Sequence, residues 1–113
     1  DNDLLSAQVA VLLNADKLII LTDIDGLYEK NPRVYPKAGL IPEVKRVTAD
    51  IEKLAGGIGS HKGTGGMASK LMAAKLATDN NVDTFVGNGF RKNILLGIIN
   101  RDAVCTHFGK YAK

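Results

Sequence analysis

Several things that would mark a chain's class are scarce here. There is one cysteine in 113 residues, Cys105, so no internal disulfide can form, and a reducing, cytoplasmic setting is the expectation. There is no tryptophan, and the other aromatics are three tyrosines and three phenylalanines. Net charge is only +3, from basic residues dispersed in runs no longer than Lys45-Arg46. A nucleic-acid binder would carry a basic stripe interleaved with stacking aromatics. Nucleic acid is therefore not the expected partner, and the excess charge suits an anionic small substrate as well. No apolar run approaches the length of a membrane span, Leu18 to Leu21 being strand-sized, so no membrane is expected. The opening Asp1-Asn2-Asp3 has neither the basic start nor the apolar stretch of a secretory leader. It is also not Met, which points to processing or to a fragment.

What is present is a core. Hydrophobic residues make up 45% of the chain, too many for a disordered tail and enough for one domain or part of one. Leu4 to Asn14 reads as a helix with Leu4, Leu5, Val9, Leu12 and Leu13 on one face and Asp3 as its N-cap. Lys17 to Thr22 reads as a strand whose unbroken apolar run predicts cover on both faces, as in a parallel sheet. Asp23-Ile24-Asp25-Gly26 breaks it. Leu27 to Pro42 holds all three prolines and reads as an irregular excursion. A short strand is expected over Val44 to Val47, and a short helix capped by Thr48 with Ile51 and Leu54 inward.

Ala55 to Gly66 has six glycines in twelve residues and reads as a loop. A helix follows over Met67 to Asp79, with Met67, Leu71, Met72, Ala74 and Ala77 inward. After it come a strand over Val82 to Val86, a turn at Gly87-Asn88-Gly89, a helix over Asn93 to Ile99, and a strand over Ala103 to Phe108 at a sheet edge. Strands alternating with helices imply an α/β fold with a mostly parallel sheet, and ligands in such sheets bind where strands end. Thr22-Asp23 and Gly87-Asn88-Gly89 fall there.

The strongest chemical signal is Gly63-Thr64-Gly65-Gly66-Met67-Ala68-Ser69-Lys70. Glycines let backbone N–H groups close on an anion, and a helix start adds unpaired N–H groups and partial positive charge. A lysine in a first helical turn opposes the dipole, and a bound polyphosphate would reverse that sign. The bland alternative is a surface loop with a solvated lysine. No Gly-Lys-Ser/Thr closes a Walker A loop, and the match to a dinucleotide G-x-G-x-x-A lacks the strand that should precede it. Thr22-Asp23 suits a ribose, an amine or a metal-bound water as readily as a turn cap. Asp1-Asn2-Asp3 suits N-capping, an ammonium, or the ordering of catalytic lysines. Cys105-x-His107 has no second ligand pair, so no metal site is expected, and a thiol in an apolar strand is inert.

Taken together, Asp1-Asn2-Asp3-Leu4-Leu5-Ser6-Ala7, Leu21-Thr22-Asp23-Ile24-Asp25-Gly26-Leu27-Tyr28, Asn31-Pro32-Arg33 and Gly63-Thr64-Gly65-Gly66-Met67 with Lys70 resemble the amino acid kinase family, in its glutamate-phosphorylating branch. The resemblance implies a three-layer α/β/α sandwich. It implies transfer of the ATP γ-phosphoryl group, with Mg2+ accompanying ATP, to the side-chain carboxylate of L-glutamate, the first step of proline synthesis. It places Thr22, Asp23 and the segment Thr64, Gly65, Gly66, Met67, Ala68, Ser69 and Lys70 at the nucleotide. Asn2, aided by Asp1, falls on the glutamate site, and Asp3 on the aspartate that orients the catalytic lysines, of which Lys70 is one. A homo-oligomer of the full-length kinase is implied as well. Carbamate, aspartate or uridylate kinases are the neighbouring alternatives, and a nucleotide-binding module without chemistry is the alternative of another class.

Two departures stand out. Asn31 replaces the family's Asp, and the family's amino-terminal half, with a further phosphate-binding lysine, is not in this sequence. Residues 1–113 are thus expected to be the nucleotide-binding, carboxy-terminal part of a kinase domain, with an open sheet edge and exposed core where the other half packs. The expected outcome of a glutamate-dependent ADP-release assay on this chain by itself is no turnover; robust turnover refutes that expectation.

Overall fold

The computed structural model describes residues 2–55 and 66–110. Along the chain these form α1 (Asp3–Leu12), β1 (Lys17–Thr22), β2 (Glu43–Val44), α2 (Ala49–Leu54), α3 (Met67–Asp79), β3 (Asp83–Asn88), α4 (Ile94–Ile99) and β4 (Cys105–Phe108). The expected loop lies outside the described residues over 56–65.

The four strands form one sheet in the order β1-β3-β4-β2. β1 and β3 run parallel from Lys17↔Asp83 to Thr22↔Asn88. β2 and β4 are also parallel, and β3 meets β4 antiparallel. Successive strand residues point to opposite faces, and the two faces collect different partners. Leu18, Ile20 and Val86 belong to a core with Ala7 and Ala10 of α1, Leu71, Ala73, Ala74 and Ala77 of α3, and Ile51 and Leu54 of α2. Ile19 and Phe85 belong to a smaller core with Ile94 and Ile98 of α4. Helices thus cover both faces of a mostly parallel sheet, the expected three-layer arrangement.

The helix-to-strand connections repeat one device. After α1, Asn14 takes φ 55°, and Ala15 N–H bonds back to Ala10 O at 2.9 Å. After α3, Asn81 takes φ 69°, and Val82 N–H bonds back to Ala77 O at 2.9 Å. Asparagine tolerates the left-handed region that such helix ends need. Each helix is thereby turned back along the strand that follows it.

Several expectations are corrected. Asp3 is not an N-cap: it is the first residue of α1, Asn2 holds the cap position, and Asn2 O accepts from Ser6 N–H at 2.9 Å. The buried face of α1 is Ala7 and Ala10, while Leu4, Leu5, Val9, Leu12 and Leu13 are exposed, Leu12 by 81%. Small side chains win that face because α3 opposes it with alanines, and close helix approach leaves no room for leucine. Met72 is 60% exposed rather than inward. Gly87 and Asn88 continue β3, and only Gly89 turns. β4 lies between β3 and β2, not at an edge, and β2 is just Glu43–Val44. Among the described residues β1 is paired on one side only; both of its faces are covered at Leu18, Ile19 and Ile20, but Leu21 is exposed, so the expected two-sided cover stops short of the strand's end. The Thr48 cap is observed, its Oγ1 accepting from Ile51 N–H at 3.3 Å.

One buried threonine fastens the excursion to the sheet. Thr106 Oγ1 accepts from Leu27 N–H at 2.9 Å and donates to Ile41 O at 2.6 Å. Gly26 passes directly over it with φ 153°, where a Cβ would run into that hydroxyl. Replacing Thr106 by valine keeps the shape and strands the Leu27 N–H. The expected loss is about 1–3 kcal/mol in urea unfolding; Gly26→Ala is expected to be destabilising as well, through both the clash and the positive φ.

Candidate functional site

α1 leads back into β1, and α3 leads back into β3. Since β1 and β3 are parallel, both helices start at the end of the sheet where both strands finish. Four elements therefore present their ends together, and the sequence-expected residues sit on them.

At the two helix starts, Lys70 Nζ lies 3.2 Å from Asp3 Oδ2, with only 8% of the lysine side chain exposed and 19% of the aspartate. Ser69 Oγ lies 2.8 Å from the same carboxylate oxygen and 2.8 Å from Gly66 O. Lys70 opposes the α3 dipole by a few tenths of a kcal/mol, whereas two unit charges about 4 Å apart attract by about 4 kcal/mol at an effective dielectric near 20. The carboxylate therefore decides where the ammonium sits. Asp3 in turn is favoured by the α1 dipole. Gly66 holds the N-cap of α3 in extended conformation, with open space where a Cβ would stand. Met67 is partly buried against the core, and Ala68 is exposed. Asn2 is exposed beside Asp3. Asp1, Thr64 and Gly65 lie outside the described residues.

At the strand ends, Gly89 N–H donates to Thr22 O at 2.8 Å, joining the two exits. Asp23 is exposed and meets Arg33 Nη2 at 3.1 Å, and Thr22 Oγ1 lies 3.4 Å from Asp23 Oδ1. Asn31 supplies the turn that aims Arg33: its Oδ1 accepts from Arg33 N–H at 2.9 Å. An amide oxygen does here what a carboxylate oxygen would do, so the departure at Asn31 leaves this turn intact.

A second ionic group, without a signature in the sequence, lies at the same end. Asp25 takes both arms of a guanidinium, Arg91 Nε at 2.6 Å and Nη2 at 2.7 Å. Asn88 Nδ2 is 3.3 Å away and Tyr28 Oη 3.5 Å. The Arg91 hydrogen bond holds the Asp25 carboxyl below its ordinary range, against the opposing effect of partial burial. Burial and the Asp25 charge push the Tyr28 phenol up. No local pattern marks Arg91, which meets Asp25 across 66 residues. A cleft of about 690 Å3 beside α4, reached by Lys92, Leu96 and Asp102, shares only Arg91 with these groups.

Elsewhere, Cys105 is half-buried and burial pushes its thiol up, as expected of an inert sulfur. Among the described residues no group of three His, Cys, Asp or Glu is placed to hold a metal ion. No helix among them is long and apolar enough to cross a membrane.

Comparison with known proteins follows the same lines. The family model for the amino acid kinase family matches residues 1–88. A glutamate 5-kinase from Clostridium perfringens is 50% identical over 108 residues, covering 96% of this chain and 40% of its own length. One from Deinococcus radiodurans is 50% identical over 108 residues, covering 96% of this chain and 30% of its own length. The chain thus spans well under half of the curated relatives it matches. Among solved structures, the UMP kinase from Ureaplasma parvum superposes with a TM-score of 0.70 at 17% identity, covering 97% of this chain and 42% of that one. The carbamate kinase from Giardia lamblia bound to AMP-PNP gives 0.71 at 24% identity, covering 98% and 32%. At such identities the likeness is one of fold.

The Asp25 ion pair carries a pH dependence of definite sign. Its folded-state pKa is lowered, so its contribution to stability is complete above the unfolded carboxyl value, about 3.9, and is lost as pH falls through the lowered folded value. Arg91→Ala is expected to return the Asp25 carboxyl upward in an NMR titration; an unmoved titration sinks the assignment.

Proposed function

Because this chain belongs to the amino acid kinase family, we propose that it supplies the nucleotide side of an enzyme that phosphorylates the side-chain carboxylate of L-glutamate. A carboxylate oxygen of glutamate bonds to the γ-phosphorus of ATP, the bond from that phosphorus to the bridging oxygen breaks, and ADP leaves with glutamyl 5-phosphate as the product. This is the opening step of proline synthesis. The two relatives above, both glutamate 5-kinases at half identity, favour glutamate over the carbamate and UMP acceptors named for the structural neighbours.

The observation that carries the reading is the sequestered Asp3–Lys70 pair where two helices begin and two strands end. Transfer between two anions needs neutralised charge and in-line positioning, not covalent help from the protein. No general base is called for, since a carboxylate is already ionised at neutral pH. In this reading Lys70 stabilises the charge that builds on the transferring group and on the ADP leaving oxygen. Asp3 fixes where the ammonium points, and Ser69 fixes the carboxylate in turn. Thr22, Asp23 and the segment from Thr64 to Lys70, through Gly65, Gly66, Met67, Ala68 and Ser69, are assigned to binding the nucleotide. Asn2, with Asp1, is assigned to binding the glutamate. The Mg2+ expected with ATP would be held by phosphate and water oxygens rather than by an all-protein cage, and would supply charge neutralisation at the phosphates. Residues 1–113 form the nucleotide-binding part, and the rest of a protein of the relatives' length completes the acceptor side and the oligomer.

The test is Lys70→Ala in a protein of that length carrying this sequence. Turnover is expected to fall about a hundredfold or more, the scale of losing one preorganised charge partner, with a smaller rise in the ATP KM. A change in KM alone removes the transition-state role. Nucleotide binding with no glutamate-dependent chemistry in the unaltered protein would make it a binding module instead.

A further inference from the structure

The nucleotide pair Thr22-Asp23 stands at the exit of an edge strand, the least supported place in the sheet. β1 is paired on one side only among the described residues. Asp23 is exposed, and its partner Arg33 is 69% exposed on an irregular excursion, so that ion pair gives little rigidity. The segment still needs a fixed position if it is to meet a ligand, because a loosely held site loses affinity to the cost of ordering it.

The support comes from the other strand exit. Asp25, two residues beyond Asp23, is clamped by both arms of Arg91, at 2.6 and 2.7 Å, with 17% of its side chain exposed. Asn88, the last residue of β3, donates to the same carboxylate at 3.3 Å. The Asn88 Oδ1 accepts from Phe90 N–H at 2.9 Å and so holds the turn that delivers Arg91. Together with Gly89 N–H on Thr22 O, these bonds close a ring: Thr22 to Asp25 on one side, Asn88 to Arg91 on the other. A two-armed guanidinium–carboxylate contact fixes direction as well as distance, which a lysine in the same place could not. The ring also answers a charge problem. An unpaired Asp25 beside Asp23 would put a second carboxylate next to a polyphosphate, and Arg91 neutralises it.

We propose that Asp25 and Arg91 are positioning residues for the nucleotide: they brace the exit of β1 against the exit of β3 and thereby hold Thr22 and Asp23 in place to receive it. Neither touches the reacting atoms. The proposal rests on the ATP reading above for the identity of the ligand, and on the ring of bonds for the role.

The experiment uses a protein of the relatives' length carrying this sequence, with Arg91→Ala, Arg91→Lys, Asp25→Ala and the double Asp25→Ala/Arg91→Ala variant. ATP and ADP affinities are read by calorimetric titration, ATP KM and kcat by ADP release, and Tm in the absence of nucleotide. Each alanine variant is expected to weaken nucleotide binding about tenfold, roughly 1.4 kcal/mol, with the rise in ATP KM exceeding the fall in kcat and Tm moving by no more than a few degrees. Arg91→Lys keeps the charge but not the fork and is expected to recover only part of the loss. The double variant is expected to bind no more weakly than the worse single one, since both remove the same brace. Unchanged affinity in the single variants overturns the proposal, as does additive loss in the double, or a fall in Tm that accounts for the lost binding. If an alanine variant fails to fold, Arg91→Lys decides the matter alone: full affinity overturns the brace. If the unaltered protein binds nucleotide but ignores glutamate, the kinase reading fails, while weakened binding in the variants still supports the brace. No nucleotide binding at all overturns both.

Discussion

The parallel pairing of β1 with β3 is the constraint on which the remaining geometry depends. Parallel strands in one sheet need their connections to cross back along a face, and here α1 and α3 each precede a strand and pack on the same face of it. Two helices that both run back against parallel strands must begin at a common end. The register Thr22↔Asn88 then sets the two strand exits side by side. A buried ammonium, the exposed Asp23–Arg33 ion pair and two loop exits share one end of the molecule for that reason, although they come from stretches of sequence far apart.

Within that frame the energetics divide unevenly. The ring of bonds at Asp25 is partly open to solvent and gives direction more than stability. The Asp3–Lys70 pair is more enclosed, and losing one partner of such a pair leaves a desolvated charge behind, at a cost of about 3–5 kcal/mol. A buried pair is a poor way to stabilise a fold when a hydrophobic pair of similar volume would do as well. Its presence where α1 and α3 begin makes better sense as a means of holding an ammonium in a chosen direction.

Much of this was legible from the residues, and the failures have physical causes. β1 is legible with both ends in place because the apolar run Leu18 to Leu21, bracketed by Lys17 and Thr22 between Asp16 and Asp23, leaves little choice. The bounds of α3, though not the outward place of Met72, are legible because Gly66 before it and Asn80-Asn81 after it punctuate a helical stretch. The inward face of α1 was misread because hydrophobicity alone favours leucine. The close approach of α3 is a property of the neighbour, and it reserves that face for Ala7 and Ala10. The interior place of β4 escaped for the same reason: strand order is set by which surfaces meet, not by the strand's own four residues. For the site, the glycine segment and Lys70 stand out through local chemistry, whereas Asp3 alone reads equally as a cap or as a partner for an ammonium, and family resemblance is what favours the second. Arg91 could not be found at all, since its partner lies in another loop and neither residue belongs to a periodic pattern.

The strand order has a consequence for how the chain reaches this state. Among the described strands, only β3 and β4 are neighbours both in sequence and in the sheet. β1 has to wait for a partner that begins at Asp83, and Glu43-Val44 has to wait for His107 and Phe108. During synthesis from the amino terminus, Leu18 to Leu21 therefore emerge well before β3, the strand that pairs with them here, and loop closure over such spans slows the search. Until β3 is made, the side of β1 that it will pair with stays open. The Asn14 turn that folds α1 back along β1 lets helix and strand shelter each other locally while the rest of the sheet is still to come.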